Sequence, residues 1–295
     1  MSKSNLSFPS SGARSRTDRA LVGTLHAFAV VAGAVVVLIF GFLVKESWPV
    51  LDEVGIAPFI HDVSWHPTER LFGLMPMVTG TFAVMAGALL LATPLGLASA
   101  VFCHFYATRH LLPAYRRAME VLAGIPSVVY GFWGLVVLVP AINRLSPPGV
   151  SLLAGVIVLA VMVLPTIALM ADAAFANVPS AVINGAHALG LSKWGVLRAA
   201  MLPSARSGLF TAVILATGRA IGETMAVLMV TGNIVQNPAS VFDPIRTLTA
   251  NIALEMAYAL GDHRSALFVS GLCLMLMIIA LVSAAERLVR GPTDG

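Results

Sequence analysis

The chain has 295 residues, of which 58% are hydrophobic and only 11% are charged. An average soluble domain carries about 25% charged residues, so this composition excludes an ordinary water-exposed globular protein and indicates that lipid is the main solvent. The net charge of +4 is spread over several separate segments. We therefore read it as a sign of membrane topology, and we expect no nucleic-acid partner.

Long uncharged stretches dominate the sequence. Five of them, 20–44, 71–108, 121–143, 145–171 and 265–285, contain no Asp, Glu, Lys or Arg, and each exceeds the ~20 residues that a helix needs to cross a bilayer. A sixth is interrupted only by Arg219 and Glu223. These stretches predict an all-α polytopic membrane protein. Its six transmembrane helices are expected at about 21–44, 75–103, 118–140, 151–171, 207–232 and 265–288.

The segments between the spans complete the predicted domain organisation. Residues 1–19 read as a cytoplasmic tail, residues 20–290 as the membrane domain and residues 291–295 as a C-terminal tail. In the first outer loop, Trp48 and Trp65 are predicted to be anchors at the membrane interface. The outer stretch 247–260 is apolar enough to be a short helix that dips back towards the bilayer, provided that other protein covers it.

The distribution of positive charge predicts the orientation. With both termini in the cytoplasm, twelve of the 18 Lys and Arg residues fall in inner segments and five in outer ones, and Arg219 lies within a span. Such an excess follows the positive-inside rule for cytoplasmic loops. The inner segment 172–206 is the longest of these loops.

Two stretches within the spans are candidates for a substrate pathway. Residues 124–131 contain two glycines and a proline, a combination that permits close helix packing and frees backbone carbonyls. Arg219 and Glu223 lie four residues apart, which would place them on one face of the fifth span. Charges within a membrane mark functional sites by default, although a structural ion pair remains an alternative. Gly218 and Gly222 are expected to leave room for a ligand beside the pair.

The inner segment 172–206 is longer than a simple connection requires. Its apolar positions 183, 186, 189 and 191 form a rough stripe, and Gly190 suits the end of a helix. A docking role is therefore a reasonable interpretation. Nucleotide binding by this chain is not indicated, because none of its three lysines follows a glycine as a phosphate-binding loop requires.

The same segment resembles the coupling motif of bacterial ABC importer permeases. That motif reads Glu-Ala-Ala, three residues, Gly, nine residues, Ile, any residue and Leu-Pro. The matching positions here are Asn184, Gly185, Ala186, Gly190, Ala200, Leu202 and Pro203. The spacing from Gly to Leu-Pro is kept, whereas the Glu, the first Ala and the Ile are replaced.

Other runs resemble one branch of these permeases, the phosphate importer permeases of the PstC type. The specific ones are Gly-Arg-Ala-Ile-Gly-Glu-Thr-Met-Ala, which starts at Gly218, and Leu-Ala-Gly-Ile-Pro-Ser-Val-Val-Tyr-Gly, which starts at Leu122. The resemblance implies the type I ABC importer permease fold and ties Arg219 and Glu223 to phosphate passage. Thr224, Ser127 and Tyr130 lie in the same runs and are predicted to line the pathway.

The resemblance also implies an assembly. The expected partners are a second permease subunit like PstA, a dimer of ATPase subunits like PstB and an extracytoplasmic phosphate-binding protein like PstS, all at the bacterial cytoplasmic membrane. ATP and magnesium would bind to the ATPase, so this chain is expected to be a transport subunit without a cofactor, a metal site or a catalytic residue of its own.

Two alternatives remain open from the sequence. In the first, the site binds a different oxyanion, and the transported anion is sulfate or molybdate. A proton-coupled secondary transporter would also use a buried Arg and Glu, but it leaves the inner segment unexplained.

Overall fold

The computed structural model describes residues 16–289, so the predicted tail at 291–295 and most of the tail at 1–19 lie outside the described residues. Within that range the chain is almost entirely helical, with one short β-hairpin. The elements are α1 (Arg16–Val54), α2 (Ala57–His61), β1 (Trp65–His66), β2 (Leu71–Phe72), α3 (Met75–Val101), α4 (Leu111–Gly124), α5 (Ser127–Trp133), α6 (Val139–Asn143), α7 (Leu152–Ala176), α8 (Ser180–Ala188), α9 (Lys193–Val196), α10 (Leu202–Ile221), α11 (Met225–Val230), α12 (Leu248–Glu255) and α13 (Gly261–Val289).

Several of these elements are continuous with one another. A π-helical turn at Phe102–Tyr106 extends α3. A second at Leu197–Met201 joins α9 to α10, and a third at Gly134–Leu138 joins α5 to α6. Five helices in the described range are long and apolar enough to cross a membrane: Ala20–Val54, Met75–Tyr106, Leu152–Ala176, Lys193–Ile221 and Gly261–Ala285. A sixth span exists only if the bent pair of α4 and α5–α6 is taken as one.

The prediction of one helix over 118–140 is wrong. The chain bends by 91° between α4 and α5. Pro126 has no N–H to continue the helix, and it forces the preceding residue out of the helical region. Ile125 accordingly has an extended conformation (φ −64°, ψ 130°). Arg116 of α4 pairs with Asp172 near the end of α7 at 2.8 Å, which ties the bent helix to the core.

The prediction of one helix over 207–232 is also wrong. α10 ends at Ile221, three residues do not continue the helix, and α11 then begins at Met225. At the break, the bonds Gly222 N–H to Gly218 C=O and Glu223 N–H to Ala220 C=O are both long, at 3.4 Å. Glycine is a poor helix former, which favours a break at this position.

The core is built around α7, whose side chains Leu159, Met162 and Ile167 are fully buried. α3 packs along it at close range. A Cβ added at Gly87 would lie 2.6 Å from Cγ2 of Val156, so the two backbones approach closely only because this residue is glycine. α10 and α4 pack on other faces of α7.

α1 is a peripheral helix. It packs along α13, where the rings of Phe42 and Phe268 meet edge to face with centroids 5.5 Å apart. Residues 23–42 of this helix are exposed in the single chain, as expected for a helix that faces lipid or another membrane subunit, whereas Val50 near its end is fully buried.

The segments that the charge distribution places outside the membrane are partly buried against the helices. Trp65 is only 5% exposed, and its ring meets that of Phe72 edge to face, so the prediction that it is an interface anchor is wrong. Trp48, the other predicted anchor, is 62% exposed. The structure confirms a short helix, α12, within 247–260. α3, α11 and α13 surround it and bury Leu248 and Ala250 completely, which is the cover that a re-entrant segment requires.

Candidate functional site

The two helix breaks lie next to each other. α5, which follows the first break, packs against α11, which follows the second. A Cβ added at Gly131 would lie 2.8 Å from the Cα of Ala226, so the two backbones are in close contact. Non-helical backbone within a membrane is tolerated only where protein covers it or where it lines a polar cavity. This pair of breaks is therefore the natural place for a substrate pathway.

Arg219 occupies the last turn of α10, directly before the second break. Its side chain is exposed in the single chain, and it forms no ion pair with an Asp or Glu whose side chain the structure describes. The space beside it is open. A Cβ at Gly218 would touch nothing within 4 Å, and one at Gly222 would touch only the Gly218 carbonyl, at 3.6 Å.

Glu223 does not share a helix face with Arg219, contrary to the sequence prediction. It lies beyond the end of α10, and its carboxylate oxygen Oε1 accepts a hydrogen bond of 3.1 Å from the backbone N–H of Ala226. The carboxylate thus caps the first turn of α11. A purely structural Arg219–Glu223 ion pair is excluded in this conformation, because no such pair forms among the described residues.

The other predicted pathway residues surround the same breaks. The Tyr130 hydroxyl donates to the Leu122 carbonyl at 2.7 Å, so this buried side chain bridges the break between α4 and α5. Ser127 starts α5 and is half-buried, and the Thr224 hydroxyl donates to the Gly222 carbonyl at 3.3 Å. The structure brings all five predicted residues to the two breaks.

A third element reaches the second break from the outer side. The Thr249 hydroxyl, near the start of α12, donates to the backbone carbonyl of Glu223 at 2.9 Å. The Thr247 side chain caps α12 by accepting from the N–H of Ala250 at 3.2 Å. The Thr81 hydroxyl oxygen of α3 accepts from the N–H of Leu248 at 3.1 Å. The start of α12 is therefore fixed both to α3 and to the break.

A buried polar network holds the other end of α12. Glu255, which is 8% exposed, accepts hydrogen bonds from Arg246 Nη1 at 2.6 Å and from Trp65 Nε1 at 2.7 Å, and its Oε2 lies 2.8 Å from His263 Nε2. Arg246 also donates to the Asn251 side chain at 3.0 Å. Sequence reasoning missed this network. The available signal was an Arg and a Glu flanking an otherwise apolar outer segment.

The hydrogen bonds of this network set the ionisation of Glu255. Burial opposes the charged form, but the hydrogen bonds from Trp65, His263 and Arg246, together with the charge of Arg246, outweigh it and lower the pKa of Glu255 below its ordinary value of 4.5. The folded protein thus binds this proton less tightly than the unfolded chain does. Its contribution to stability is present above about pH 4.5 and is lost as the pH falls through the lowered pKa.

This ionisation gives a stability prediction. We expect the thermal unfolding midpoint of the protein in detergent to fall as the pH is lowered from 6 to 3, and the variant Glu255→Gln to show less of this dependence because it has no proton to gain. Glu53→Gln is the matched control, since Glu53 pairs with Arg70 on the exposed outer surface at 2.8 Å. An equal pH slope in wild type and Glu255→Gln would contradict the prediction.

The predicted coupling segment forms a helix, a turn and the start of a long helix. Gly190 has a φ of +72° and ends α8, as the sequence predicted, because its left-handed conformation suits glycine. Asn184 and Gly185 are exposed on α8, whereas Ala186 is buried. Leu202 and Pro203 begin α10. Lys193–Ile221 is one continuous span, so the coupling segment and Arg219 share a helix.

The apolar stripe of this segment does not lie on one face. Position 183 is half-buried and 186 is buried, but Leu189 is 82% exposed and Leu191 is also exposed, beyond the end of α8. These leucines and the exposed Trp194 are an apolar cluster in the sequence, between positions 189 and 194, in a segment that the charge distribution places in the cytoplasm.

Comparison with known proteins identifies the family. A sequence profile described as "Binding-protein-dependent transport system inner membrane component" matches residues 92–291. The chain belongs to this family. It is a permease subunit of an ABC transporter in the bacterial inner membrane and not an enzyme; ATP hydrolysis takes place on a separate subunit. ABC importer permeases of this kind work with an ATPase and a periplasmic binding protein.

Curated relatives cover most of the permease. It is 39% identical to "Probable ABC transporter permease protein YqgH" of Bacillus subtilis, over 87% of this chain and 85% of that protein. It is 36% identical to "Phosphate transport system permease protein PstC" of Mesorhizobium japonicum, over 92% of this chain and 89% of that protein. The predicted resemblance to PstC-type permeases is thereby confirmed.

Solved structures confirm the predicted fold class. The bacterial alginate ABC transporter, in complex with an alginate pentasaccharide-bound periplasmic protein, matches with a TM-score of 0.61 at 13% identity, over 96% of this chain and 99% of that one. The methionine ABC transporter MetNI in an inward-facing conformation matches with a TM-score of 0.58 at 20% identity, over 75% of this chain and 95% of that one. At these identities the matches establish the fold alone.

Proposed function

We propose that this permease subunit moves inorganic phosphate into the cell. The observation that carries the proposal is the placement of Arg219, exposed and without an ion pair to any described acidic side chain, four residues before Glu223 at the meeting point of two broken spans. A guanidinium facing a cavity is a good host for an oxyanion, because its planar fork donates two hydrogen bonds. Relatives named phosphate transport permeases support the choice of anion.

The Glu223 carboxylate, four residues after the arginine, favours phosphate over sulfate. Near neutral pH phosphate keeps at least one O–H, whereas sulfate keeps none. An ionised carboxylate only accepts hydrogen bonds, so it suits the proton-bearing edge of phosphate and repels sulfate. Glu223 Oε1 is engaged with the Ala226 N–H, while no bond to Oε2 occurs among the described residues. We therefore assign Oε2 as the atom that accepts a hydrogen bond from the O–H of phosphate.

The proposed assembly follows from this role. We infer a second permease subunit like PstA, which would cover the exposed side of Arg219, and a PstB-like ATPase dimer that docks on α8 and the leucines after it. A PstS-like binding protein would deliver phosphate to the outer face. Sulfate or molybdate is the alternative cargo, and proton-coupled transport is the alternative energy source. The family assignment disfavours the latter.

The test of substrate choice is the variant Glu223→Gln. The amide oxygen can still accept from the Ala226 N–H, so α11 stays capped, but the side chain now also donates and carries no charge. We expect reduced uptake of radiolabelled phosphate and measurable inhibition by sulfate. The assay uses the co-expressed assembly in vesicles, with ATP supplied and the proton gradient collapsed.

Glu120→Gln is the control, because Glu120 is an exposed glutamate on α4. It should leave both phosphate uptake and the exclusion of sulfate unchanged. If Glu223→Gln transports phosphate at the normal rate and still ignores sulfate, Glu223 serves only as the cap of α11 and the proton-reading role is wrong. Uptake that stops when the proton gradient collapses would favour the secondary transporter instead.

A further inference from the structure

α12 connects the outer surface of the protein to the second helix break. At its start, Thr249 bonds to the Glu223 carbonyl, and at its end Glu255 is the centre of the buried network with Trp65, Arg246 and His263. The helix between them has only eight residues. A helix this short has no internal hinge, so the position of one end fixes the position of the other end.

The position of Glu223 depends strongly on this support. It follows the end of α10, where helical hydrogen bonds are long, and it precedes α11, which has only six residues. Its carboxylate caps α11 and its carbonyl is held by Thr249. A displacement of α12 would therefore move the backbone that carries the carboxylate.

The network is more elaborate than stability alone requires. A buried ion pair can often be replaced by apolar side chains with little loss of stability, but its directional bonds define one geometry. Here three segments, at Trp65, Arg246 and His263, converge on the two oxygens of one carboxylate, and Trp65 is 190 residues from Glu255 in sequence. This arrangement restrains α12 in position and rotation.

We propose that Glu255 is a positioning residue for transport: by fixing the outer end of α12, it holds Thr249 against the Glu223 carbonyl and so sets the place of the Glu223 carboxylate in the pathway. Glu255 itself does not contact the transported anion. This inference rests on the proposed function where phosphate uptake is the assay.

Three variants test the proposal at different points. Glu255→Gln removes the charge at the centre of the network. Trp65→Phe removes one hydrogen-bond donor and keeps an aromatic ring against Phe72. Thr249→Val removes the hydrogen bond to the Glu223 carbonyl with little change in side-chain volume. The matched controls are Glu53→Gln, on an exposed outer ion pair, and Thr217→Val, whose hydroxyl bonds only to Val213 in its own helix.

The first readout does not depend on the identity of the anion. We would place a single cysteine at 222 (Gly222→Cys, with Cys103→Ala and Cys273→Ala), because Gly222 is exposed and a Cβ there fits without a clash. The rate of modification by a water-soluble thiol reagent then reports the geometry of the break. We expect Glu255→Gln and Thr249→Val to change this rate severalfold, Trp65→Phe to change it less, and both controls to leave it unchanged.

The second readout is phosphate uptake. We expect Glu255→Gln and Thr249→Val each to lower the maximal rate by about tenfold or more, as misplacement of a functional group by about 1 Å can do. The two substitutions act on the same contact, so the double variant should be no slower than the slower single one. Independent structural damage would instead multiply the two effects.

An unchanged modification rate at position 222 in Thr249→Val and Trp65→Phe would overturn the proposal, even if Glu255→Gln proves too unstable to purify. Multiplying effects in the double variant would overturn it as well. Failure of the wild-type assembly to take up phosphate would count against the proposed function alone, because the modification rates would still show whether Glu255 sets the geometry of the break.

Discussion

Replacement of Arg219 by alanine should abolish phosphate uptake while the protein still inserts in the membrane. The side chain is exposed, and it forms no ion pair with any described Asp or Glu side chain, so we expect its removal to leave no buried group unsatisfied. Loss of a charged partner from a desolvated pair costs about 2–5 kcal/mol, or about thirtyfold or more in affinity. Uptake in vesicles, normalised to the amount of assembled complex, measures the effect.

Arg206→Ala is the matched control for this experiment. Arg206 is an exposed arginine on the same helix, about 20 Å from Arg219 at 1.5 Å per residue. We expect it to retain uptake. Arg219→Lys should retain only part, because an ammonium cannot reproduce the planar fork. Normal uptake by Arg219→Ala would show that the anion is bound elsewhere.

The second large effect should come from the inner surface. We expect Leu189→Arg to prevent co-purification of the ATPase subunit and thereby stop ATP-driven uptake. Leu189 is 82% exposed in an apolar cluster after α8, and an arginine there would be buried without a partner in the interface. The expected loss is about 2 kcal/mol or more, roughly thirtyfold in affinity.

Leu145→Arg provides the control for this substitution. Leu145 is 80% exposed, but it lies in the loop between α6 and α7, which the charge distribution places on the outer side. The same change of residue there should leave ATPase binding intact. If both variants lose the ATPase, the cause is general instability, and if neither does, the ATPase docks elsewhere.

The sequence was sufficient to predict the spans because charge-free stretches depend only on composition. The runs in which it predicted the pathway residues mark both breaks, and the role of those residues stays a prediction. The sequence did not predict the backbone conformation of those runs. Pro126 and Gly222 were visible, but a proline or glycine in a span is compatible with a kink as well as with a full break. Whether the helix resumes depends on tertiary partners such as Thr249, which lies 26 residues from Glu223.

The buried network was beyond sequence reasoning for a different reason. Trp65 and Glu255 are 190 residues apart, and nothing local indicates that they meet. An interfacial position was the natural expectation for a tryptophan in an outer loop. The hairpin of β1 and β2 and its packing against α13 determine instead that it is buried.

The exposure of Arg219 has a consequence for the subunit before it assembles with its partners. A guanidinium near the bilayer centre costs at least about 2.5–3.5 kcal/mol when hydrocarbon surrounds it. Arg219 is exposed on the isolated chain, so we expect a solitary subunit to bear part of such a cost, whereas a second permease subunit would replace the lipid with protein and water. The arginine that we propose binds the transported anion should thus also destabilise solitary copies of the chain. Unassembled subunits should be the preferred targets of membrane proteases, which would keep the two permease chains in equal number.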